Sequence, residues 1–366
     1  MIEARRGRYP MEPFEPACLA TGIGSLPHQS AEEACELVLD NLKAIPFWPQ
    51  LPGRSQSENM YAQFASGLPG LREENGKLAI DTSSGFEQAL AAFYERYLEA
   101  EDSGFALDPE RAKGFFTFMD LLREPHPKKN GFRQIALKGH ITGPVSFGLS
   151  IQEPDGKPVL YNDLVMDAVA KNICMLARWQ EDTLATLGLP TIMFYDEPFM
   201  ATYGSAFFNY SADLVAHYIE VATEGVRSLT GIHCCANTDW NLILDSHVSI
   251  ISFDAYGYAD KLLLYADGLG EFLQRGGVMA VGMVPAVWDA AEDESAESLF
   301  ARLDGFLGSL ERRGIPRDLA AVRTLITPSC GLGAQPVQGA ETIIQMTAAL
   351  SRLARERFGL AGKEKV

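Results

Sequence analysis

Short apolar runs alternate with stretches of helical periodicity along most of the chain. Cys18-Leu19-Ala20-Thr21-Gly22-Ile23-Gly24-Ser25 reads as a buried strand ending in glycines. Ser30, with Glu33 three residues on, has the spacing of a capping box that opens a helix. A second apolar run, Ala44-Ile45-Pro46-Phe47-Trp48-Pro49-Gln50, leads into a loop rich in Gly, Pro and Ser through Gly76. Loops of that length in compact domains are functional or mobile. Over 84–123, Phe86, Leu90, Phe93, Tyr94 and Tyr97 make one helical stripe and Pro109 restarts the pattern, so an inserted helical segment is expected there.

From Gln134 the alternation becomes regular. A strand and turn run from Gln134 to Pro144, followed by an amphipathic helix over 160–187. Strands are then expected at 191–195, 229–234, 248–253, 278–283 and 322–326, with helices at 211–228, 237–246, 259–275, 295–313 and 339–357 between and after them. Roughly eight strands, each followed by helical sequence, define an α/β chain and predict a (β/α)8 TIM barrel, about 250 residues plus insertions. The expected organisation is one domain over 1–366, with the insertion after strand two at about 51–130.

The 366 residues, 47% hydrophobic and 22% charged, are enough to bury a large core. A net charge of -17 argues against nucleic-acid or anionic-membrane partners, which select Lys and Arg. Met1 to Pro16 contains no apolar signal core, and no later run approaches the ~20 apolar residues of a membrane span. The six cysteines are scattered, unlike a secreted disulfide scaffold, so a reducing cytoplasm is the expected compartment.

The barrel rule places functional groups at the carboxyl ends of the strands. By that rule Gly24-Ser25, Gln50, His140 to Pro144, Asp196-Glu197-Pro198, His233 with Cys235, Asp254, Pro285 to Asp289 and Cys330 share one rim. Residues two apart on a strand face the same way, so His233 and Cys235 can grip one ion while Cys234 turns into the packing. With Cys330 they form a candidate His-x-Cys plus Cys zinc site, and Asp254 is the tentative oxygen donor. The bland readings are a buried cysteine with a hydrogen-bonded core histidine, and carboxylates at Asp196, Glu197 and Asp254 that cap the next helix. His140 reads mainly as a rim residue satisfying the backbone, while His28, His126, His217 and His247 receive no function. Gly22-Ile23-Gly24 lacks the third glycine of a dinucleotide fingerprint.

In order and strand position, Ile23-Gly24-Ser25, Thr142-Gly143-Pro144, Asp196-Glu197-Pro198, His233-x-Cys235 and Cys330-Gly331-Leu332 resemble the catalytic barrel of cobalamin-independent methionine synthase. That family belongs to a wider group with uroporphyrinogen decarboxylase and the corrinoid methyltransferases. The resemblance implies zinc held by His233, Cys235 and Cys330, with Asp254 where the family has a glutamate. It also implies a thiol substrate held by the Ile23-Gly24-Ser25 turn and Asp196. The activity it implies is methyl transfer to a zinc-activated small thiol, homocysteine-like or other, from a methylcorrinoid or a methylfolate.

The chain departs from the family at three points. It has one barrel's worth of sequence, Met283-Val284-Pro285-Ala286 offers no histidine where the family has a proton donor, and Gln50 stands where an acid would bind an ammonium. Two other functions remain open on the same barrel. One is decarboxylation of the uroporphyrinogen type, for which Arg54 is the nearest cation. The other is a non-catalytic barrel that binds a metal or a corrinoid protein.

Overall fold

A computed structural model describes residues 14–74, 77–99, 102–123, 134–204 and 210–364. Two short strands, Leu71–Glu74 (β1) and Lys77–Ile80 (β2), pair antiparallel as a hairpin that the hydrophobic pattern did not announce. The main sheet consists of Leu137–Thr142 (β3), Thr191–Asp196 (β4), Leu229–Cys234 (β5), Ile250–Asp254 (β6), Val278–Val284 (β7) and Thr324–Pro328 (β8). These six pair parallel in sequence order and curl, with helices packed along them.

Six of the expected eight strands form the parallel sheet, and the first two are not regular strands. After a turn at Ala17 and Cys18, residues 19–26 and 44–50 run beside the sheet and join it by isolated bridges, Ala20 to Ile326 and Phe47 to Lys138, and each other at Ser25 and Gln50. Cys18 N–H donates to Thr324 O at 2.8 Å and Ile326 N–H to Leu19 O at 2.8 Å, so the first segment lies along β8. Lys138 N–H donates to Pro46 O at 2.9 Å, so the second lies along β3. The reason for the irregularity is local. Ala17 and Cys18 hold positive φ of 48° and 60°, and Pro46 and Pro49 have no N–H to give a ladder.

Side chains alternate across each strand and sort into two apolar layers. Leu19, Ile45, Ala136, Ile192, Phe194, Leu229, Ile250, Val278, Ala280 and Leu325 pack together on the concave side of the sheet. The intervening residues, such as Met193, Tyr195, Ile232, Cys234, Ile251 and Phe253, pack on the other side against the helices. The concave layer fills the amino-terminal half of the sheet. Polar side chains therefore collect above it, toward the carboxyl ends.

The helices start where local chemistry dictates. Ser30 accepts from Glu33 N–H at 3.1 Å to begin Ala31–Asn41. The helix expected from 259 begins earlier, as Ala255–Leu262, because Asp254 caps it. The stretch 84–123 holds two helices, Phe86–Glu99 and Lys113–Arg123. No helix among the described residues is long and apolar enough to cross a membrane.

Candidate metal centre

Continuing each concave row upward places Lys138, His140 and Thr142 on β3, Asp196 on β4, His233 then Cys235 on β5, Ser252 then Asp254 on β6, and Thr327 on β8. Cys330 follows β8 at the next turn. One liganding atom each from His233, Cys235 and Cys330 lies within 4.8 Å of the others. His233 is buried while both thiols are partly exposed, so the cluster opens toward the mouth. Cys234, one residue from Cys235, is fully buried on the helix side, and burial pushes its thiol up to about 12.

The register of β5 on β6 sets Ser252 opposite His233, and its hydroxyl lies 2.9 Å from Nδ1. That contact occupies one ring nitrogen and leaves Nε2, itself buried, without a partner. The two thiols share a proton. A hydrogen bond from Cys330 and then the neighbouring His233 lower Cys235 to about 4 against the opposing effect of burial. The same hydrogen bond, reinforced by burial, drives Cys330 far upward. Of the two thiols, Cys235 is therefore the readier to ionise and Cys330 the one held protonated.

The carboxylates divide the work. Asp254 accepts from Gly257 N–H at 2.7 Å as a helix cap, and burial raises its carboxyl, with the Cys235 charge adding to the rise. Glu197 is fully buried and accepts from Val145 N–H at 2.9 Å and Ser146 N–H at 2.7 Å, at the start of Pro144–Ser150. A Cβ on Gly143 would stand 2.3 Å from Glu197 Oε1, which is why the Thr142-Gly143-Pro144 turn has glycine there. Burial lifts Glu197 to about 7, against the pull of those donors. Asp196 is lifted to about 6 by burial, opposed by His233 and Lys138, and its Oδ1 is closed off without a partner.

The Ile23-Gly24-Ser25 turn lies beside the cysteine loop. Ser25 Oγ accepts from Gly333 N–H at 3.1 Å, Ser25 O accepts from Leu332 N–H at 2.9 Å, and a Cβ on Gly331 would meet Ser25 Oγ at 2.3 Å. Of the expected site residues, His233, Cys235 and Cys330 come together within 4.8 Å, Asp196 and Asp254 end neighbouring strands outside that group, and the Ile23-Gly24-Ser25 turn is bonded to the loop after Cys330. Gln50 donates to Gln63 Oε1 at 2.8 Å.

The strand pattern passes over Ser252 and Lys138, and the His140 ring does not satisfy the backbone as expected. Ser252 is signalled only by its place two before Asp254, and Lys138 by being a charge inside an apolar strand two before His140. His140 is buried and stacked on Trp48 at 3.9 Å, and both its ring nitrogens lack partners. Among the other histidines, His28 lies 3.6 Å from Glu341, His247 Nε2 is 2.8 Å from Thr223 Oγ1, and His217 packs on Tyr218. His126 lies outside the described residues.

Fold and site together define an α/β chain whose parallel sheet carries a His-Cys-Cys cluster at its carboxyl-end mouth. No protein-family profile matches the chain, and no curated protein matches it in sequence. Solved structures match it in fold. A B12-independent methionine synthase from Shewanella sp. W3-18-1, in complex with selenomethionine, superposes with TM-score 0.56 at 16% identity over 93% of this chain and 98% of its own. A putative vitamin-B12 independent methionine synthase from Listeria monocytogenes gives TM-score 0.55 at 11% identity, over 91% of this chain and 96% of its own. The resemblance read from the motifs therefore holds at the level of the fold.

Proposed function

We propose that this chain is a zinc-dependent methyltransferase that moves a methyl group onto a small thiol, homocysteine-like or other, from a methylcorrinoid or methylfolate donor. The observation that carries the reading is the convergence of His233, Cys235 and Cys330 within 4.8 Å, in a fold shared with methionine synthase structures. The donors fit zinc. Two cysteines that bind as thiolates and an imidazole nitrogen with no partner are the ligand types it takes, and three protein donors leave a position open. Zinc bound there would lower the pKa of a coordinated substrate thiol and supply a thiolate nucleophile at neutral pH.

The chain's own residues account for the rest. Ser252 fixes the His233 ring through Nδ1, the kind of outer contact that orients metal-binding histidines. Asp254, which lies outside the group of three and caps its helix, is the oxygen donor that would hold the open position until a substrate thiol takes it. Asp196 Oδ1 and the Ile23-Gly24-Ser25 turn take the polar end of the thiol. We read the two bridged segments, 19–26 and 44–50, as the first two staves of a (β/α)8 barrel that the six-stranded sheet completes, and the whole as one domain. All six cysteines are free, which fits a reducing cytoplasm.

The decarboxylase reading needs free cations at the mouth, and Arg54 is paired with the buried Glu58. The test is metal analysis together with methyl transfer from methylcobalamin and methyltetrahydrofolate to a panel of thiols. The reading requires about one zinc per chain and turnover with at least one pair. Well under one zinc in protein prepared without chelator would sink it. No turnover with any thiol, alongside firm binding of a corrinoid protein, would make the barrel a scaffold instead.

A further inference from the structure

A cavity of about 820 Å³ opens at the amino end of the sheet, the face opposite the mouth. It is bounded by Gln134 and Ile135 before β3, by Gly188 to Pro190 before β4, by Leu19 and Ala20 of the first bridged segment, by the last turn of Ala31–Asn41 and by one face of Val337–Arg357. Leu19 belongs to the concave apolar layer, which lies between this cavity and the polar groups above it. Along the bridged segment, the five residues from Ala20 to Ser25, where the chain meets the loop after Cys330, correspond to about 16 Å of strand rise. The cavity is therefore separate from the metal cluster, and its volume falls in the range of small-molecule sites, roughly 300–1,000 Å³.

The lining sorts by chemistry. Leu42, Ile135, Leu189 and Ala348 give apolar walls, while Lys43, Arg352 and Arg355 bring three cations against two carboxylates, Asp40 and Glu364. The whole chain has 31 cations to 48 carboxylates, so the balance is reversed here. Glu364 is taken up by Arg355 at 2.7 Å, and Asp40 is exposed at the end of its helix. Arg352, one helical turn before Arg355, has no ion pair among the described residues.

The helix that supplies both arginines also holds strained backbone next to the cavity. Ala17 and Cys18 occupy the left-handed region, with φ of 48° and 60°, which costs free energy for residues with a Cβ. Arg355 Nη1 donates to Ala17 O at 2.9 Å and Ser351 Oγ donates to Cys18 O at 2.6 Å, and both side chains line the cavity. Backbone strain persists where the surroundings over-determine it, and it gathers at ligand clamps. A guanidinium has five N–H groups in a rigid fork. Arg355 is thus fixed by two partners and still has donors to offer.

We propose that this cavity is a second ligand site, for a free small anion with an apolar body. A carboxylate, sulfonate or phosphate head is held by Arg352, with Lys43 and the fixed Arg355 beside it, and an aliphatic or aromatic body lies on Leu42, Ile135, Leu189 and Ala348. The site does not depend on the zinc-thiol reading.

The test uses two fluorescent probes that share one aromatic body, 1-anilinonaphthalene-8-sulfonate and the neutral N-phenyl-1-naphthylamine, titrated into the full chain. Wild type is expected to bind one sulfonate per chain, about tenfold more tightly than the neutral probe, the worth of one charge-assisted hydrogen bond. The double variant Lys43→Gln, Arg352→Gln changes a half-buried and an exposed side chain, so it should keep the wild-type Tm. It is expected to lose most of the preference for the sulfonate while the neutral probe stays within about twofold. In 15N-labelled wild type, the Lys43, Gln134 and Gly188 amide resonances should move with the sulfonate while those of Cys235 and Gly331 stay. Equal affinity for the two probes, no saturable binding of the sulfonate, or a preference unchanged in the double variant overturns the proposal. So do shifts centred on Cys235 and Gly331, which would put the probe at the mouth. Metal-free and zinc-treated chain should give the same titration, so failure of the zinc-thiol reading leaves this result standing.

Discussion

The metal cluster makes a sharp prediction because two adjacent cysteines are placed so differently. In Cys235→Ser one of three soft donors is lost; in Cys234→Ser a thiol is lost from the helix side of the sheet, where it bonds to Ala236 O at 3.6 Å. Around a tetrahedral zinc with bonds of about 2.0–2.3 Å, ligand atoms stand about 3.3–3.8 Å apart. The present limit of 4.8 Å therefore closes with small side-chain movements. If the affinity corresponds to about 10 kcal/mol, the low end for protein zinc sites, each of three protein donors accounts for about 3 kcal/mol, or roughly a hundredfold in Kd. Zinc at about 100 times the wild-type Kd adds about 2.7 kcal/mol of stability. With an unfolding entropy of about 2.1 cal/mol/K per residue over 366 residues, this raises Tm by about 3–4 °C. Thermal melts with and without zinc, with metal content by mass spectrometry, should show that rise in wild type and Cys234→Ser. At the same zinc concentration, Cys235→Ser and Cys330→Ser should move by less than about 1 °C. If Cys234→Ser loses zinc as Cys235→Ser does, or if Cys235→Ser and Cys330→Ser bind one equivalent as tightly as wild type, the assignment of ligands is wrong.

Three further outcomes follow from the same geometry. Ser252→Ala frees His233 Nδ1 and should weaken zinc binding about 10- to 100-fold in a competition titration with a chelating dye, with the metal-free Tm nearly unchanged. Asp254→Asn keeps a good helix-capping side chain, so metal-free stability should hold while zinc affinity falls; unchanged affinity would remove Asp254 from the shell. Glu197 governs a pH dependence. Its carboxyl is raised from 4.5 to about 7 by burial, so folding favours its protonated form; the stability it contributes is full below about pH 4.5 and is lost as pH rises toward 7. The loss is about 3 kcal/mol at the usual conversion. Urea midpoints of metal-free wild type should fall between pH 5 and 7.5, and Glu197→Gln should flatten that slope; equal slopes in the two proteins would refute the account.

Much of the site was legible in one dimension. Strand ends show in the sequence as apolar runs breaking into Gly, Pro and polar residues, and side chains alternate along a strand. His233 and Cys235 were therefore separable from Cys234 before any fold was known, and Cys330 could be matched to them by its place at another strand end. The six strands of the sheet and most of its helices were legible for the same reason, since periodicity is a property of neighbours in sequence. The hairpin of Leu71–Glu74 and Lys77–Ile80 was not, because its short, charged strands carry little alternating pattern. Nor did the apolar run from Cys18 reveal that positive φ at Ala17 and Cys18 would keep it from forming a ladder.

The rest was decided by register and approach between segments far apart in the chain. Ser252 reaches His233 because β6 lies on β5 in one particular register. Cys235 and Cys330 come together across 95 positions only because β5 and the end of β8 meet at one mouth. Lys138 finds the Ile23 carbonyl 115 residues away. Local pattern settles which chemical groups stand at the strand ends, because periodicity and turn residues are set by neighbours along the chain. Which of those groups touch and which buried atom is left without a partner depend on how the strands lie beside one another, which no local pattern encodes.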